Sequence, residues 1–278
     1  MDDYLSSAPL SLFGNNILNP LNNYPFSNSV DNQPSLSVLV PIYNEVDNIA
    51  RLIGEIRAAL DGKIIYELIY VDDGSTDASW QKLQQIGEHL KNLRIIRHKC
   101  SYGQSIAVLT GVKLARAEWV VTLDGDGQND PADIPRLLAV LPNQAKEPQL
   151  QMVAGLRHHR QDNWLKRISS RIANWIRSRL LHDNTPDTGC SLKLFSRTAF
   201  LALPHFNHIH RFLPALFLRN GGQVISIEVN HRPRWGGKSK YGIFDRFGTG
   251  IIDLLGVMWL QRRAVNAKII EDNQKHDN

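Results

Sequence analysis

The sequence predicts an α/β fold, a mostly parallel sheet flanked by helices. Three observations lead there. Short β-branched and apolar runs alternate with segments of helical period from residue 36 to residue 123. Two of those runs end in turns rich in carboxylates and glycine, Asp72 to Asp77 and Asp124 to Gly127, the composition expected where strand ends meet a binding crevice. The composition is also ordinary for a globular protein: 278 residues, 42% hydrophobic and 21% charged, enough for one large domain of this class.

Residues 1–34 are rich in Asn, Ser, Pro and Leu without a clear period and read as a flexible extension. Leu36-Ser-Val-Leu-Val-Pro41 is a short buried strand. From Asp47 to Leu60 the residues Ile49, Leu52, Ile53 and Ile56 recur on one helical face. Ile64 to Val71 is a second strand, closed by Asp72-Asp-Gly-Ser-Thr-Asp77. Ser79 to Leu90 is helical, Leu93 to Arg97 a third strand, Gln104 to Ala115 a helix, and Glu118 to Leu123 a fourth strand. Alternation of this kind implies parallel strands with helices on both faces.

The second half is less regular. Val153 to Arg157 reads as another strand end. Asp162 to Leu181 is helical, with Leu165, Ile168, Ile172, Ile176 and Leu180 in one stripe. Lys166, Arg167, Arg171 and Arg177 lie mostly opposite, as a solvated basic face or a binding face. Ser191 to Phe195 and Gln223 to Asn230 are strands around a helix near Phe212 to Arg219. From Phe244 to Trp259 the residues Phe244, Phe247, Ile251, Leu254, Leu255 and Met258 keep helical spacing, and Arg262 and Arg263 follow. Asp245, Arg246 and Asp253 interrupt this stretch, which is too short to cross a bilayer. It suits a helix lying in a membrane interface with its arginines at the headgroups, or an amphipathic helix packed on the core. Residues 241–265 are assigned to it and residues 266–278 to a polar tail.

Net charge is +5 and the isoelectric point near 9.2, which favours anionic partners such as phosphates or an acidic membrane surface. No zinc-finger spacing, RNP pattern or continuous basic stripe is present, so nucleic acid is not an expected partner. Cys100 and Cys190 are the only cysteines, which implies no disulfide framework and fits a reducing cytoplasm. The Met-Asp-Asp start lacks a basic region followed by an apolar one, so no signal peptide is expected.

The most informative stretch is Trp119-Val-Val-Thr-Leu-Asp-Gly-Asp-Gly-Gln128. Only Gly125 separates Asp124 from Asp126, and Gly127 follows. A flexible turn can aim both carboxylates at one hard cation, Mg²⁺ or Mn²⁺, whose shell substrate phosphates would complete. Plain strand-exit turn chemistry is the alternative.

Three motifs, Val40-Pro-Ile-Tyr-Asn-Glu45, Val71-Asp-Asp-Gly-Ser-Thr-Asp77 and Leu123-Asp-Gly-Asp126, each follow a predicted strand. Right-handed crossovers bring those strand ends to one edge. Together, in this order, they resemble the family-two inverting glycosyltransferases, and more narrowly the polyprenyl-phosphate glycosyltransferase branch, over about residues 36–263. The resemblance implies a GT-A fold, a Rossmann-like mostly parallel sheet flanked by helices, with residues 35–240 as the catalytic domain and an interfacial helix after it. It places Pro41, Tyr43 and Glu45 in the nucleotide pocket, Asp72 or Asp73 against the base, and Asp124 on the sugar nucleotide. Asp124, Asp126 and Gln128 would hold Mg²⁺ or Mn²⁺. Gly103-Gln-Ser-Ile-Ala107 falls where the family has a helix start beneath the nucleotide.

On the acceptor side, Gly155-Leu-Arg157 matches a family element whose Arg approaches phosphate, and Asp187 to Arg197 matches a segment whose Asp187 is the carboxylate best placed for catalysis. His231-Arg-Pro-Arg-Trp-Gly-Gly-Lys-Ser-Lys-Tyr241 matches a phosphate-capturing loop, with Arg232, Arg234, Lys238, Ser239 and Lys240 as ligands. The implied reaction moves one sugar from a UDP- or GDP-hexose to a polyprenyl phosphate with inversion, for cell-envelope glycan or lipid modification. The implied location is cytoplasmic, peripheral to the inner face of the inner membrane. A hydroxyl acceptor, or a non-catalytic nucleotide-sugar-binding scaffold, are the competing readings. Two departures stand out. Many relatives end in two or more transmembrane helices, so a membrane-protein partner supplying them is a further implication. A Gln-x-x-Arg-Trp signature is also missing, because His231 stands where Gln belongs, which disfavours processive synthesis.

Overall fold

The structure, a computed structural model, describes residues 33–141, 149–157, 177–183, 185–235 and 243–263, the last with side chains from residue 250. The proposed extension before residue 33, the basic helix before residue 177, Lys238, Ser239, Lys240 and the polar tail lie outside the described residues.

Fourteen of the described elements carry the argument: β1 (Leu36–Ile42), α1 (Val46–Leu60), β2 (Tyr66–Asp72), α2 (Ser79–Gly87), β3 (Leu93–Arg97), α3 (Gln104–Leu114), β4 (Trp119–Thr122), α4 (Ile134–Leu138), β5 (Leu150–Arg157), β6 (Lys193–Ser196), α5 (Arg197–Leu201), α6 (Leu213–Arg219), β7 (Gln223–Val229) and α7 (Ile243–Arg262). The strands form one sheet in the order β3-β2-β1-β4-β6-β5-β7. Strands β1 to β4 are parallel, as expected; β6 runs antiparallel to both β4 and β5, and β5 is parallel to β7. The reversed β6 was not anticipated, because an apolar run shows burial and not direction. The sheet is therefore mixed but mostly parallel. Short α4 was not anticipated either: five residues with Pro135 at its start leave too few periodic positions to be recognised.

Burial explains the layers. Strands β2 and β4 are buried throughout, the mark of strands covered on both faces. One apolar cluster joins Ile49, Leu52, Ile53 and Ile56 of α1 to Val38, Val40 and Leu68. A second, on the other face, joins Ala107, Val108 and Val112 of α3 to Phe195, Phe200, Leu216, Phe217 and Val257. Gly111 lets α3 lie directly on the sheet, since a Cβ there would run into the Leu39 side chain.

The chain runs outward from β1 through β2 to β3, then returns to place β4 on the other side of β1. This reversal creates a crevice between the loops that leave β1 and β4, where α/β sheets bind ligands. Pairing sets the level: Ile42 is opposite Asp72, and Leu39 is opposite Thr122. The three motifs named above thus emerge side by side.

At the opposite edge the sheet is tied by a buried carboxylate. Glu67, fully buried, accepts from the Ser37 hydroxyl (2.7 Å), the Arg116 backbone N–H (2.6 Å), Arg116 Nε (2.9 Å) and Arg94 Nη1 (3.0 Å). Burial pushes its pKa up, but these donors outweigh burial and hold it below the ordinary carboxylate range. A depressed folded pKa stabilises above the unfolded value and loses that contribution as pH falls through the folded one. Glu67→Gln should therefore cost about 1–3 kcal/mol at neutral pH. It should also flatten the loss of stability that the wild type shows on acidification below about pH 4.3. Urea denaturation of both proteins from pH 7 to pH 3 measures this, and parallel curves would refute it.

Candidate active site

The loops after β1 and β2 scaffold one another. Asn44, at φ 54°, accepts through Oδ1 from the Thr76 N–H (2.8 Å), the Thr76 hydroxyl (3.3 Å) and the Asp77 N–H (3.3 Å), and its own N–H donates to Ser75 Oγ (2.9 Å). The Glu45 N–H donates to Ser79 Oγ at 3.0 Å, and the Glu45 carboxylate, buried, accepts from Asn48 Nδ2 at 2.6 Å. Tyr43 and Pro41 are part-exposed at the mouth beside them.

The two carboxylates at the end of β2 are held differently. Asp72, fully buried, accepts from the Ser75 N–H at 2.9 Å and lies 3.3 Å from Arg97 Nε. Asp73 takes four partners: His98 Nδ1 (2.7 Å) and the Tyr102 N–H (3.0 Å) on Oδ1, the Ser101 hydroxyl (2.7 Å) and the Gly103 N–H (2.8 Å) on Oδ2. Burial alone would raise its pKa, yet those donors hold it low. Asp73 thus fixes the 98–103 loop that starts α3.

After β4, Asp124 accepts from Gln104 Nε2 (2.7 Å) and from the Ser191 hydroxyl, while its N–H donates to Asn129 Oδ1 (3.2 Å). Asp126, 6% exposed, accepts from the Gln128 N–H (3.1 Å) and from Arg234 Nη2 (2.7 Å). Burial and then repulsion from Asp126 push the Asp124 pKa up to about 6, against the pull of Ser191, Lys193 and Arg157. Gly127, at φ +73°, lies under the Trp235 ring, where any Cβ would collide. The Arg51 and Arg232 guanidiniums sit 3.9 and 4.8 Å from the centre of that ring.

From the far half of the sheet, Arg157 grips Asp187 with both arms of its guanidinium, Nε to Oδ2 at 2.6 Å and Nη2 to Oδ1 at 2.7 Å. Lys193, buried, donates to the Thr188 carbonyl (3.1 Å) and to the Cys190 carbonyl. Burial pushes its pKa down, opposed by Cys190, Asp124 and Asp187. Lys193 thereby shapes the turn that carries Asp187 and Ser191.

Of the residues singled out from sequence, Asp124, Asp126, Asp187, Arg157 and Arg234 converge on one region. Gln128 supports it through its backbone. Arg232 turns elsewhere, pairing with Glu55 of α1 (2.7 Å) and donating to the Asn129 carbonyl (2.9 Å). Sequence reasoning gave no role to Asn44, Ser191, Lys193 or Asn129. Each stands inside or beside a quoted motif; Asn44 and Ser191 find partners far along the chain, whereas Lys193 and Asn129 bond within their own turns. Gln104 had been flagged only as part of a helix start.

The donor set fits a divalent cation. Two oxygen-donor carboxylates stand together, burial and then Asp126 raising the pKa of Asp124, and among the described residues no larger cluster of His, Cys, Asp or Glu competes for a metal. A hard cation held by one or two carboxylates plus substrate phosphates and water has this pattern.

A mixed sheet with carboxylates at the β1/β4 reversal is the GT-A arrangement. Solved structures agree: glucosyl-3-phosphoglycerate synthase from Mycobacterium tuberculosis, in complex with Mn²⁺, UDP and glucosyl-3-phosphoglycerate, superposes with a TM-score of 0.60 at 18% identity, covering 84% of this chain and 82% of that one. The same enzyme with Mg²⁺ and UDP gives 0.60 at 16% identity over 84% and 81%. At such identity the likeness concerns the fold. The chain belongs to glycosyl transferase family 2, whose model matches residues 37–203. Among curated relatives, dodecaprenyl-phosphate galacturonate synthase of Rhizobium johnstonii is 35% identical over 232 residues, 82% of this chain and 67% of the relative. Undecaprenyl-phosphate 4-deoxy-4-formamido-L-arabinose transferase of Edwardsiella ictaluri is 34% identical over 212 residues, 75% of this chain. The match spans only 63% of that second relative's length.

Asn44→Ala removes the acceptor that joins the first two motifs and places a Cβ-bearing residue without a local hydrogen bond at positive φ. It should cost about 1–3 kcal/mol in urea denaturation. It should also weaken nucleotide binding, read by calorimetry with UDP and GDP. Wild-type behaviour in both would overturn the scaffold role.

Proposed function

We propose that the protein transfers a single sugar from a nucleoside-diphosphate sugar to a polyprenyl phosphate, with inversion at the anomeric carbon and a divalent metal, Mg²⁺ or Mn²⁺, as cofactor. The observation that carries the reading is the convergence, at one sheet edge, of the Asp124/Asp126 pair with the Arg157–Asp187 unit. The polyprenyl-phosphate acceptors named in both relatives support it.

In this reading Tyr43 and Pro41 flank the base and ribose, and Asp124 and Asp126 would hold the metal with the diphosphate, with Gln128 beside them. The cation would neutralise charge on the departing diphosphate. Arg234, already 2.7 Å from Asp126, adds a guanidinium to the same phosphate region. A phosphate monoester has a second pKa of about 6, so the nucleophile arrives largely dianionic and needs little deprotonation. Alignment and charge stabilisation then supply most of the rate. The fork from Arg157 keeps the Asp187 carboxylate in one orientation, from which it positions the acceptor. Arg232, Lys238, Ser239 and Lys240 belong to the proposed phosphate-capturing segment, with Arg232 anchoring its stem through Glu55.

We place the protein at the cytoplasmic face of the inner membrane, peripherally bound. No helix among the described residues is long and apolar enough to cross a membrane. Helix α7 packs Leu254, Val257 and Met258 on the core, yet leaves Ile251, Ile252, Leu255 and Trp259 51–71% exposed. Arginines at its end suit anionic headgroups.

UDP- and GDP-sugars offered with Mg²⁺ or Mn²⁺ and undecaprenyl phosphate should yield one radiolabelled sugar in the lipid phase, with inverted configuration. Label entering only a hydroxyl acceptor, or retained configuration, would overturn the reading. The double variant Asp124→Asn, Asp126→Asn should lose about 10²-fold or more in turnover. Undiminished turnover by it in excess EDTA would remove the metal role.

Ile252→Glu with Leu255→Glu should abolish sedimentation with vesicles containing phosphatidylglycerol and leave thermal stability unchanged, since both side chains are already exposed. Unchanged sedimentation would refute the membrane face.

A further inference from the structure

Beside the exposed row of α7 lies a cleft of about 420 Å³, within the range of about 300–1,000 Å³ usual for small-molecule sites. It is lined by Leu180 and Leu181 from the helical residues 177–181, Leu218 of α6 and Met258 of α7, with His182 and Gln261 among them, and by the cations Arg219 and Arg262. Its position follows from helix geometry. Ile251, Leu255 and Trp259 succeed one another at i, i+4 and i+8, and Met258 and Arg262 lie three residues on from Leu255 and Trp259, so they flank that row. A lipid reaching the cleft from a bilayer on the exposed row would find leucine and methionine side chains for its chain and two arginines for its phosphate. Arg219 is pre-positioned there: its Nε donates to the Leu260 carbonyl at 2.9 Å and its Nη1 to Asn220 Oδ1 at 3.0 Å. Arg262 is exposed.

We propose that this cleft binds one anionic membrane phospholipid, an acyl chain between Leu180, Leu181, Leu218 and Met258, and its phosphate at Arg219 and Arg262. Position argues against the acceptor as occupant. The middle of α7 is tied toward the carboxylate site: Asp253 pairs with His208 at 2.8 Å, and His210 contacts Ser105, the neighbour of Gln104, which holds Asp124. Arg262 lies nine residues further along, about 14 Å of helix. A phosphate at Arg219 and Arg262 is thus displaced from the region of Arg157 and Asp187.

The inference extends the membrane-facing part of the proposed reading and needs no catalysis. Full-length protein incubated in mild detergent with phosphatidylglycerol or phosphatidylcholine is examined by native mass spectrometry. Wild type should retain one phosphatidylglycerol and at least about tenfold less phosphatidylcholine. Met258→Trp, which fills the cleft, and Arg262→Glu, a change at an exposed position, should each lower retention about tenfold. Met258→Trp should still sediment with vesicles, because the exposed row is intact. No retained lipid, equal retention of the two lipids, or retention unchanged in Arg262→Glu would overturn the assignment. So would displacement of phosphatidylglycerol by an equimolar amount of undecaprenyl phosphate, which would give the cleft to the acceptor. Loss of vesicle sedimentation with lipid retention intact would count against the membrane-docked state and in favour of the cleft.

Discussion

The site rests on holding five carboxylates at one sheet edge. Asp72, Asp73, Asp124, Asp126 and Asp187 gather around the β1/β4 reversal, four of them 6% exposed or less. Like charges so close together, away from bulk water, repel strongly unless donors surround them. The chain supplies different partners to each: the Ser75 N–H with the nearby Arg97 charge, the 98–103 loop, Gln104 with Ser191, Arg234, and the two arms of Arg157. Asp73 has enough donors for its pKa to fall despite burial, whereas Asp124 does not and its pKa rises. That contrast separates two roles within similar-looking motifs. Asp73 organises backbone, while Asp124 retains uncompensated negative charge.

Glu67 shows what full compensation looks like. It sits in the same sheet, equally buried, with four donors and no acceptor work left for a ligand. Its position at the edge away from the motifs makes it a clamp linking β1, β2, β3 and the chain before β4. A buried carboxylate is therefore not by itself a sign of function in this fold. Incomplete charge balance, at a strand end facing a crevice, is the better sign.

The first half of the fold was legible because burial on both faces writes near-continuous apolar runs into β1, β2 and β4, and α1 carries an unbroken helical period. Strand direction was not legible: Lys193 to Ser196 reads the same whichever way it runs, and only pairing with β4 and β5 shows the reversal. Within the site, charge-bearing residues announced themselves by type and spacing. The residues that hold them did not. Ser191 and Gln104 meet on Asp124 from 67 and 20 residues away, and Asn44 meets Thr76 across 32. Hydroxyls and amides of this kind are common throughout the chain, so nothing local distinguishes these few. Arg232 shows a further limit of the sequence: its pairing with Glu55 of α1, 177 residues away along the chain, is visible only in the fold.

The arginines also bear on which ligands the site can take. Arg157 and Arg234 are each engaged with a carboxylate, at 2.6 and 2.7 Å. A ligand that recruits them must offset those pairings as well as its own desolvation, and a singly charged or neutral ligand gains too little to do so. In the proposed reaction a diphosphate would bring several charged oxygens to Asp126 and Arg234, together with a cation that Asp124 and Asp126 would hold. On the acceptor side, the proposed phosphate would be drawn to the Arg157 guanidinium, whose fork keeps Asp187 in place. In the proposed reaction, selectivity for phosphate-bearing substrates on both sides would follow from the paired resting state, because the pairs disfavour weaker ligands.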